Sequence, residues 1–341
     1  MPDIHDVAKL AGVHRSTVSR VLTGQGSASE KSRKRVIEAA RKLNYHINTV
    51  ASALKSQRKT ALGFLSFWSC SPNPSETYYQ QTLTGVIDEI TKSKYHLLLN
   101  NIQGFAQEGN PELKFLHESF LAGTLMVAPR GTEKDLAFIK QLGRPTLLVY
   151  YRTENPAYSW IDLDNRKGSQ RAMEHLLQLG HRKIGYMGGE LEFSSNARDR
   201  YWGFQRALKK AGLKENPIWV FNHSFSYDDG QENAKKILAL PKSERPTALF
   251  CATDMMAYGA MQTFKEAGLR VPRDISIVGF DDYEKSSNIS PTLTTVHQPF
   301  YQIGQQSVAL LETMVNNPSK KPKQVLIEPE LKIRQSTAPP A

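Results

Sequence analysis

A chain of 341 residues is long for one compact core and suits two or three domains, and 40% hydrophobic with 23% charged residues describes an ordinary globular protein. The net charge of +11 is uneven: residues 1–60 hold twelve Lys or Arg against four Asp or Glu, a balance of +8, which leaves +3 for the rest. No apolar run reaches membrane-spanning length, and two isolated cysteines, Cys70 and Cys251, offer neither a metal-ligand spacing nor a disulfide framework. With a polar start that does not read as a signal peptide, the expectation is a cytosolic protein with reduced thiols and no cofactor.

Residues 1–22, MPDIHDVAKLAGVHRSTVSRVL, predict two short helices on either side of Ala11-Gly12-Val13. Ile4, Val7, Ala8 and Leu10 supply an apolar stripe for the first helix, and Gly12 can take the positive φ of a tight turn. Val18 and Val21 face inward from the second, leaving Arg15, Ser16, Ser19 and Arg20 outward. This is the pattern of a helix-turn-helix, which lays its second helix in a DNA major groove. A helical hairpin in an ordinary core, with both arginines merely solvated, is the bland alternative. A third helix starts at Ser29 and runs to Leu43, with Val36, Ile37, Ala40 and Leu43 on one face. Positive charge confined to such a module fits a phosphate-backbone partner. An anionic membrane would attract it too, but the apolar residues of the basic helix are spaced for packing. Residues 46–60 follow as a polar, basic connector in which Val50, Ala51 and Leu54 are spaced as a helix too short to stand alone.

From Ala61 the period changes. Strands are predicted at ALGFLSF, HLLLNNI, GTLMVAP and PTLLVYY, with helices over 82–92, 113–121 and 133–142. The pattern restarts with a helix ending at Gly180, then strands at 183–187, WVFN, TALFCAT and SIVGFDD, alternating with helices over 197–211, 230–238 and 257–267. Two α/β lobes with parallel sheets result, roughly 61–160 and 162–290, and a ligand would sit in the cleft beyond the strands' carboxyl ends. The tail STAPPA is expected to be disordered.

With these residues in place the whole chain resembles the LacI/GalR family of transcriptional repressors. The resemblance is carried, in order, by DVAKLAGV, STVSRVL, EKSRKRVIEAARKLNY, DNRKG, HLLQLGHRKIGYMGG, RYWGFQRAL, ATDMMAYGAM and DISIVGFDDYEKSSNISPTLTTVHQP. Asn48, Ala51 and Leu54 resemble the family's hinge pattern. The fold implied is a three-helix DNA-binding head (1–46), a hinge helix and linker (47–60) and a periplasmic-binding-protein-like domain (61–338). Its lobe one would comprise about 61–160 and 292–320, and its lobe two about 162–290 and 322–335.

The function implied is a homodimeric repressor on a near-palindromic operator. Arg15 and Ser16 match the principal specificity positions, and Arg15 is placed to bond bidentately to guanine. Arg20 is a second base-contact candidate, and Thr17 and Ser19 are candidates for phosphate contact, helix packing being the alternative for Thr17. His14 stands where relatives carry a serine cap. Leu54 matches the leucine that wedges into the minor groove, and Asn48 and Lys55 complete the hinge contacts. Ile47 and Ser52 depart from the Pro and Arg common in the family.

For the ligand cleft the resemblance lines up Asn196, Arg200, Phe225, Thr253, Asp281 and Gln298, with Tyr78, Tyr79 and Tyr151 as further walls and Trp68 as a weaker candidate. Arginine forking hydroxyls, a carboxylate accepting from others and an aromatic face suit a polyhydroxylated ligand. Purine-sensing relatives carry an arginine where Ser194 stands, which favours a sugar or sugar derivative over a nucleobase; a nucleobase-, nucleoside- or phosphosugar-responsive regulator of the same fold is the alternative. Sugar-responsive relatives mostly release DNA when the ligand binds. Asp254 and Asp282 read as structural.

An enzyme is a poor fit. Phosphate-loop, zinc-protease and nucleophile-elbow motifs are absent, Gly185 to Gly189 fails the dinucleotide spacing, and the adjacent Asp281 and Asp282 point to opposite sides of a strand. His175 and His181 fall in a structural motif of the family. A transport-associated sugar-binding protein would share the lobes but lack the basic head.

Overall fold

The computed structural model describes residues 2–23, 27–45, 59–68, 77–103, 120–128, 136–137, 140, 143–318 and 321–341. The chain divides into two units, Met1–Lys59 and Thr60–Ala341. In the first, α1 (Ile4–Ala11) begins because Asp3 accepts the N–H groups of His5 and Asp6 while Asp6 accepts that of Asp3. It ends at Gly12, whose φ of 59° is left-handed. There a Cβ would also collide with the guanidinium of Arg35.

Helices α2 (Arg15–Thr23) and α3 (Glu30–Lys42), the latter capped by Ser29, close a small core of Val7, Ala8, Ala11, Val18, Val21, Val36, Ala39 and Ala40. The expected helices are present but their stripes are rotated. Ala11 and Ala39 point inward, while Leu10 and Ile37 are 52% and 40% exposed. Val7 with Ala11, and Val36 with Ala40, stand four residues apart and set each face. Alanines beside them let the helix axes approach closely.

The second unit starts with β1 (Ala61–Trp68), α4 (Thr77–Ile90), β2 (His96–Gln103), β3 (Leu121–Val127), β4 (Thr146–Val149) and β5 (Ser159–Leu163). There follow α5 (Asn165–Gln178), β6 (Ile184–Gly189), α6 (Ser195–Lys210), β7 (Val220–His223), α7 (Tyr227–Ala239), β8 (Ala248–Cys251) and α8 (Asp254–Glu266). The last elements are β9 (Ser276–Asp281), α9 (Glu284–Asn288), β10 (Thr294–His297), α10 (Phe300–Asn316), β11 (Gln324–Ile327) and β12 (Glu330–Lys332).

Lobe one has the strand order β11-β5-β4-β3-β1-β2, all neighbours parallel. Lobe two has the order β12-β10-β9-β8-β6-β7, parallel except that β12 runs against β10. Each sheet buries its apolar side chains under helices, as parallel sheets must. In lobe one α4 and α10 touch backbone to backbone: a Cβ on Gly85 would strike the Tyr301 carbonyl, and one on Gly304 the Thr82 carbonyl.

The chain crosses between lobes three times, from β5 to α5, from β10 to α10 and from β11 to β12. This differs from the expected lobe limits. Residues 159–163 form a strand of lobe one, residues 294–297 belong to lobe two, and residues 324–327 return to lobe one. Short apolar strands pair non-locally, so their period does not say which sheet receives them. The helix expected over 113–121 falls outside the described residues except for Phe120 and Leu121, a turn and a strand end. Of the one expected over 133–142, residues 136, 137 and 140 are described and helical.

The C-terminal tail is ordered rather than free. Ser336 accepts the Thr294 N–H and donates to the Ile277 carbonyl, Thr337 stands 2.9 Å from His175, and the Ala338 carbonyl stands 2.9 Å from His181 Nε2. Its hydrogen bonds are to buried groups far away in sequence, which composition alone does not reveal.

Candidate functional site

In the head, α2 presents the residues expected at DNA. His14 caps it with its ring: Nδ1 accepts the Ser16 N–H at 3.3 Å and lies 2.9 Å from the Ser16 hydroxyl. The His14 carbonyl accepts the N–H groups of Thr17 and Val18. An imidazole thus fills the place a serine hydroxyl usually takes. With Val18 and Val21 in the core, Arg15, Ser16 and Arg20 are exposed and Thr17 and Ser19 half-buried. Two guanidiniums and several hydroxyls on one helix face can meet base edges and phosphates. Asn48, Leu54 and Lys55 lie outside the described residues, as does Cys70.

In the second unit, lobe-two side chains converge on Arg200, and Asn165 joins them to Asp162 of lobe one. Its guanidinium lies 3.9 Å from the Phe280 ring centroid and 5.7 Å from that of Phe225. Nε donates to Asn165 Oδ1 at 2.8 Å, Nη1 donates to the Ala252 carbonyl, and Asp281 Oδ1 stands 3.7 Å from Nη1. Gln298 Nε2 donates to the same Asp281 oxygen at 2.6 Å. On the other side, Asn165 Nδ2 donates to Asp162 Oδ1 and to Asn196 Oδ1, both at 3.3 Å. The network therefore runs from the end of β5 through α5 and α6 to the end of β9 and the start of α10. These are strand ends and lobe crossings, where open α/β sheets place their ligands.

Burial pushes the Asp162 carboxyl up to about 8 despite the Arg200 charge, and it also raises that of Asp281. Among the described residues, the buried oxygens Asp162 Oδ2, Asp281 Oδ2, Gln298 Oε1 and the Tyr186 hydroxyl near Arg200 have no hydrogen-bond partner. Asp281 and Asp282 both take positive φ, 135° and 60°, and their carboxylates diverge. Asp282 bonds to His297 and Arg334, away from Asp281.

The other expected wall residues have structural partners. Thr253 caps α8, accepting the Met256 N–H and donating to the Phe225 carbonyl, both at 3.2 Å. Tyr79 meets Phe64 edge to face, and Tyr78 packs on Tyr150 and Phe300. Tyr151 is fully buried, and Trp68 is the last residue of β1. Asp254, deep in lobe two, accepts from Tyr283, Ser286 and Thr295.

Several residues were not singled out by sequence. Asn165 sits in the quoted DNRKG segment, but nothing in its spacing shows that it bridges Asp162 to Arg200. Phe280 is one apolar residue in a strand until Arg200 is seen lying on it. A second cluster links the lobes beside this network: Arg152 Nη1 stands 3.6 Å from Asp199, Arg166 Nε donates to Asp199 at 2.7 Å, and Glu154 meets both arginines. The Arg152 N–H also donates to Ser195 at the start of α6. Among the described residues no group of His, Cys, Asp and Glu could hold a metal ion, and no helix is long and apolar enough to cross a membrane.

Comparison with known proteins supplies the context. Residues 3–48 match the family model for bacterial regulatory proteins of the lacI family, and residues 173–337 match a periplasmic binding protein-like domain. The HTH-type transcriptional repressor PurR of Aliivibrio salmonicida strain LFI1238 is 34% identical over 98% of this chain and 99% of its own length. The protein of the same name from Haemophilus influenzae strain PittEE is 34% identical over 98% of each. Among solved structures, the Lac repressor dimer bound to operator and the anti-inducer ONPF is similar with a TM-score of 0.86 at 28% identity, covering 99% of both chains. A transcriptional regulator CelR–cellobiose complex gives 0.73 at 26% identity, over 98% of this chain and all of that one. A basic helix-turn-helix head, two crossed-over lobes and whole-length likeness to repressors lead to one conclusion: the chain belongs to the lacI family of bacterial regulatory proteins and is a DNA-binding transcriptional regulator with a ligand-binding domain.

Proposed function

We propose that this protein is a cytoplasmic, homodimeric repressor whose affinity for a near-palindromic operator is set by a small polyhydroxylated ligand, a sugar or sugar derivative, held between its lobes. The supporting observation is the Arg200 network, in which lobe-two polar groups meet beside aromatic faces at the strands' carboxyl ends and are joined through Asn165 to Asp162 of lobe one. Arg15, Ser16 and Arg20 would read base edges, with His14, Thr17 and Ser19 positioning the helix. Asn48, Leu54 and Lys55 would form the hinge contacts. In the cleft, Arg200, Asp281, Gln298, Asn196 and Phe225 would face the ligand, with Tyr78, Tyr79, Tyr151 and Thr253 behind them. Domain limits of 1–46, 47–60 and 61–338 go with this reading.

The structure alters one detail of the chemistry. Arg200 has Nε and Nη1 already committed to Asn165 and Ala252, so it acts as a held anchor rather than an open fork. Ligand binding would favour one lobe angle, and it can change DNA affinity only through its different affinity for the two states. Release from the operator is the expected direction.

A nucleobase or nucleoside is the second reading, favoured by the whole-length likeness to repressors named PurR. Thermal-shift screening of the full chain separates the two. At a ligand concentration near one hundred times Kd, a true ligand adds about 2.7 kcal/mol of stability. The sugar reading expects that rise with a monosaccharide or with cellobiose. Stabilisation by nucleobases or nucleosides alone would transfer the assignment to the second class.

A further inference from the structure

We infer that lobe one carries a second ligand site, a basic cavity at the amino ends of its strands that takes a small phosphate ester. It is separate from the cleft, which lies beyond the carboxyl ends of the same sheet, and does not depend on what the cleft binds. The cavity, of about 290 Å³, is walled by the segments that lead into β4, β5 and β11 and by the last turn of α10. Lys140, Arg144, Lys321 and Lys323 line it, and no Asp or Glu does.

Four cations around a hollow with no acid in its wall set up a positive field that draws an anion. Among the described residues Lys140, Lys321 and Lys323 have no carboxylate partner, whereas Lys167, Lys210 and Lys332 each have one. The segments that carry them are held. The Lys323 N–H donates to Ser159 Oγ at 3.0 Å, and the Lys323 carbonyl accepts the Trp160 N–H at 2.9 Å. On the other wall the Thr146 hydroxyl donates to the Arg144 carbonyl and the Gly143 N–H to that of Lys140, both at 3.3 Å. Charges mounted on fixed strand and turn ends lose less freedom when they bind. Ser159 is 5% exposed, and its hydroxyl, which accepts at Lys323, keeps its proton to donate into the cavity. At the end of α10 the Thr313 carbonyl already accepts the N–H and the side-chain amide of Asn317, at 3.1 and 3.2 Å, so this acceptor does not oppose an entering anion. A phosphate dianion, with three acceptor oxygens, matches several cations better than a single carboxylate does. Pro145, Tyr158, Met314 and Pro322 supply apolar wall for the organic body of an ester.

Titration calorimetry on the full chain tests this with glucose 6-phosphate, adenosine 5′-monophosphate, glucose, adenosine and inorganic phosphate. The proteins compared are the parent, Arg200→Ala, and the double variants Lys321→Glu/Lys323→Glu and Lys321→Arg/Lys323→Arg. Lys321 and Lys323 are exposed, so both double variants should melt with the parent. The expected result is that at least one of the two esters binds the parent, more weakly as salt rises. Charge reversal should cost it about tenfold or more, while the arginine pair keeps it. Arg200→Ala should keep it as well, which separates this site from the cleft. Glucose and adenosine, whose binding would report the cleft, should not respond to charge reversal. The inference is overturned if neither ester binds, if charge reversal leaves ester binding intact, or if Arg200→Ala abolishes it. Inorganic phosphate binding as tightly as both esters would overturn it too, by showing an adventitious ion only.

Discussion

Arg15 is exposed at the start of a helix whose inner face is fixed by Val18 and Val21. If it pairs bidentately with guanine, Arg15→Ala should lose about 1–3 kcal/mol of discrimination at one base position. Competition binding on single-base operator variants measures this. Equal losses on operator and random DNA would show a phosphate contact instead. His14 has the opposite balance, because its ring caps the helix. His14→Ala should lower stability by about 1 kcal/mol, read by denaturant melting, whereas His14→Ser should keep the cap. Residue identity was legible here where it depended on local chemistry, as with Gly12 and Ser29. It was not legible for Leu10 and Ala11, because which of two adjacent apolar residues faces inward is decided by the packing partner.

At the scale of elements, the helices of the head and the alternating α/β order could be read from periodicity. The returning strands could not. β11 and β12 are separated by two residues yet belong to different sheets. The tail carries the most testable consequence. His181 Nδ1 stands 2.9 Å from Thr247 and Nε2 the same distance from the Ala338 carbonyl, and burial holds the ring's pKa below the ordinary histidine range. The folded state therefore prefers neutral His181, while the unfolded chain protonates near pH ~6.5. This contribution is fully present above that pH and is lost as pH falls through it towards the folded value. Buried Asp162 has the opposite sign, its folded pKa being raised, so its contribution falls as pH rises towards 8. Urea melts of the parent and of His181→Gln across pH 5–8 should show the parent's advantage shrinking on the acid side; a constant difference would contradict the assignment. Removing residues 336–341 leaves the Thr294 N–H and the Ile277 carbonyl without their partner. With the other bonds of Ser336, Thr337 and Ala338, eight are lost, which should cost on the order of 8 kcal/mol at roughly 1 kcal/mol per bond, read by urea melting.

For the whole molecule, three chain crossings and two polar clusters hold the lobes, and only part of this could be foreseen. Arg200, Asp281 and Gln298 stand together although Arg200 comes from a distant segment. Asp162 and the Arg152–Asp199–Arg166 cluster appear only when distant strand and helix ends meet. Asp199 is buried while both arginines are partly solvated, so Asp199→Asn should loosen the lobe contact and change ligand affinity by about two- to fivefold, less at high salt. Titration calorimetry at two ionic strengths checks this.

The central claim is that a ligand in the lobe cleft sets DNA affinity. The direct measurement is fluorescence anisotropy of labelled operator with the full chain, with and without a saturating ligand taken from the thermal-shift screen, in parent and Arg200→Ala protein. The expected result is an operator Kd weakened by a factor of about 5–150 in the parent. Arg200→Ala should keep ligand-free operator binding but show no response to the same ligand. An operator Kd that stays the same with the cleft saturated would contradict the account.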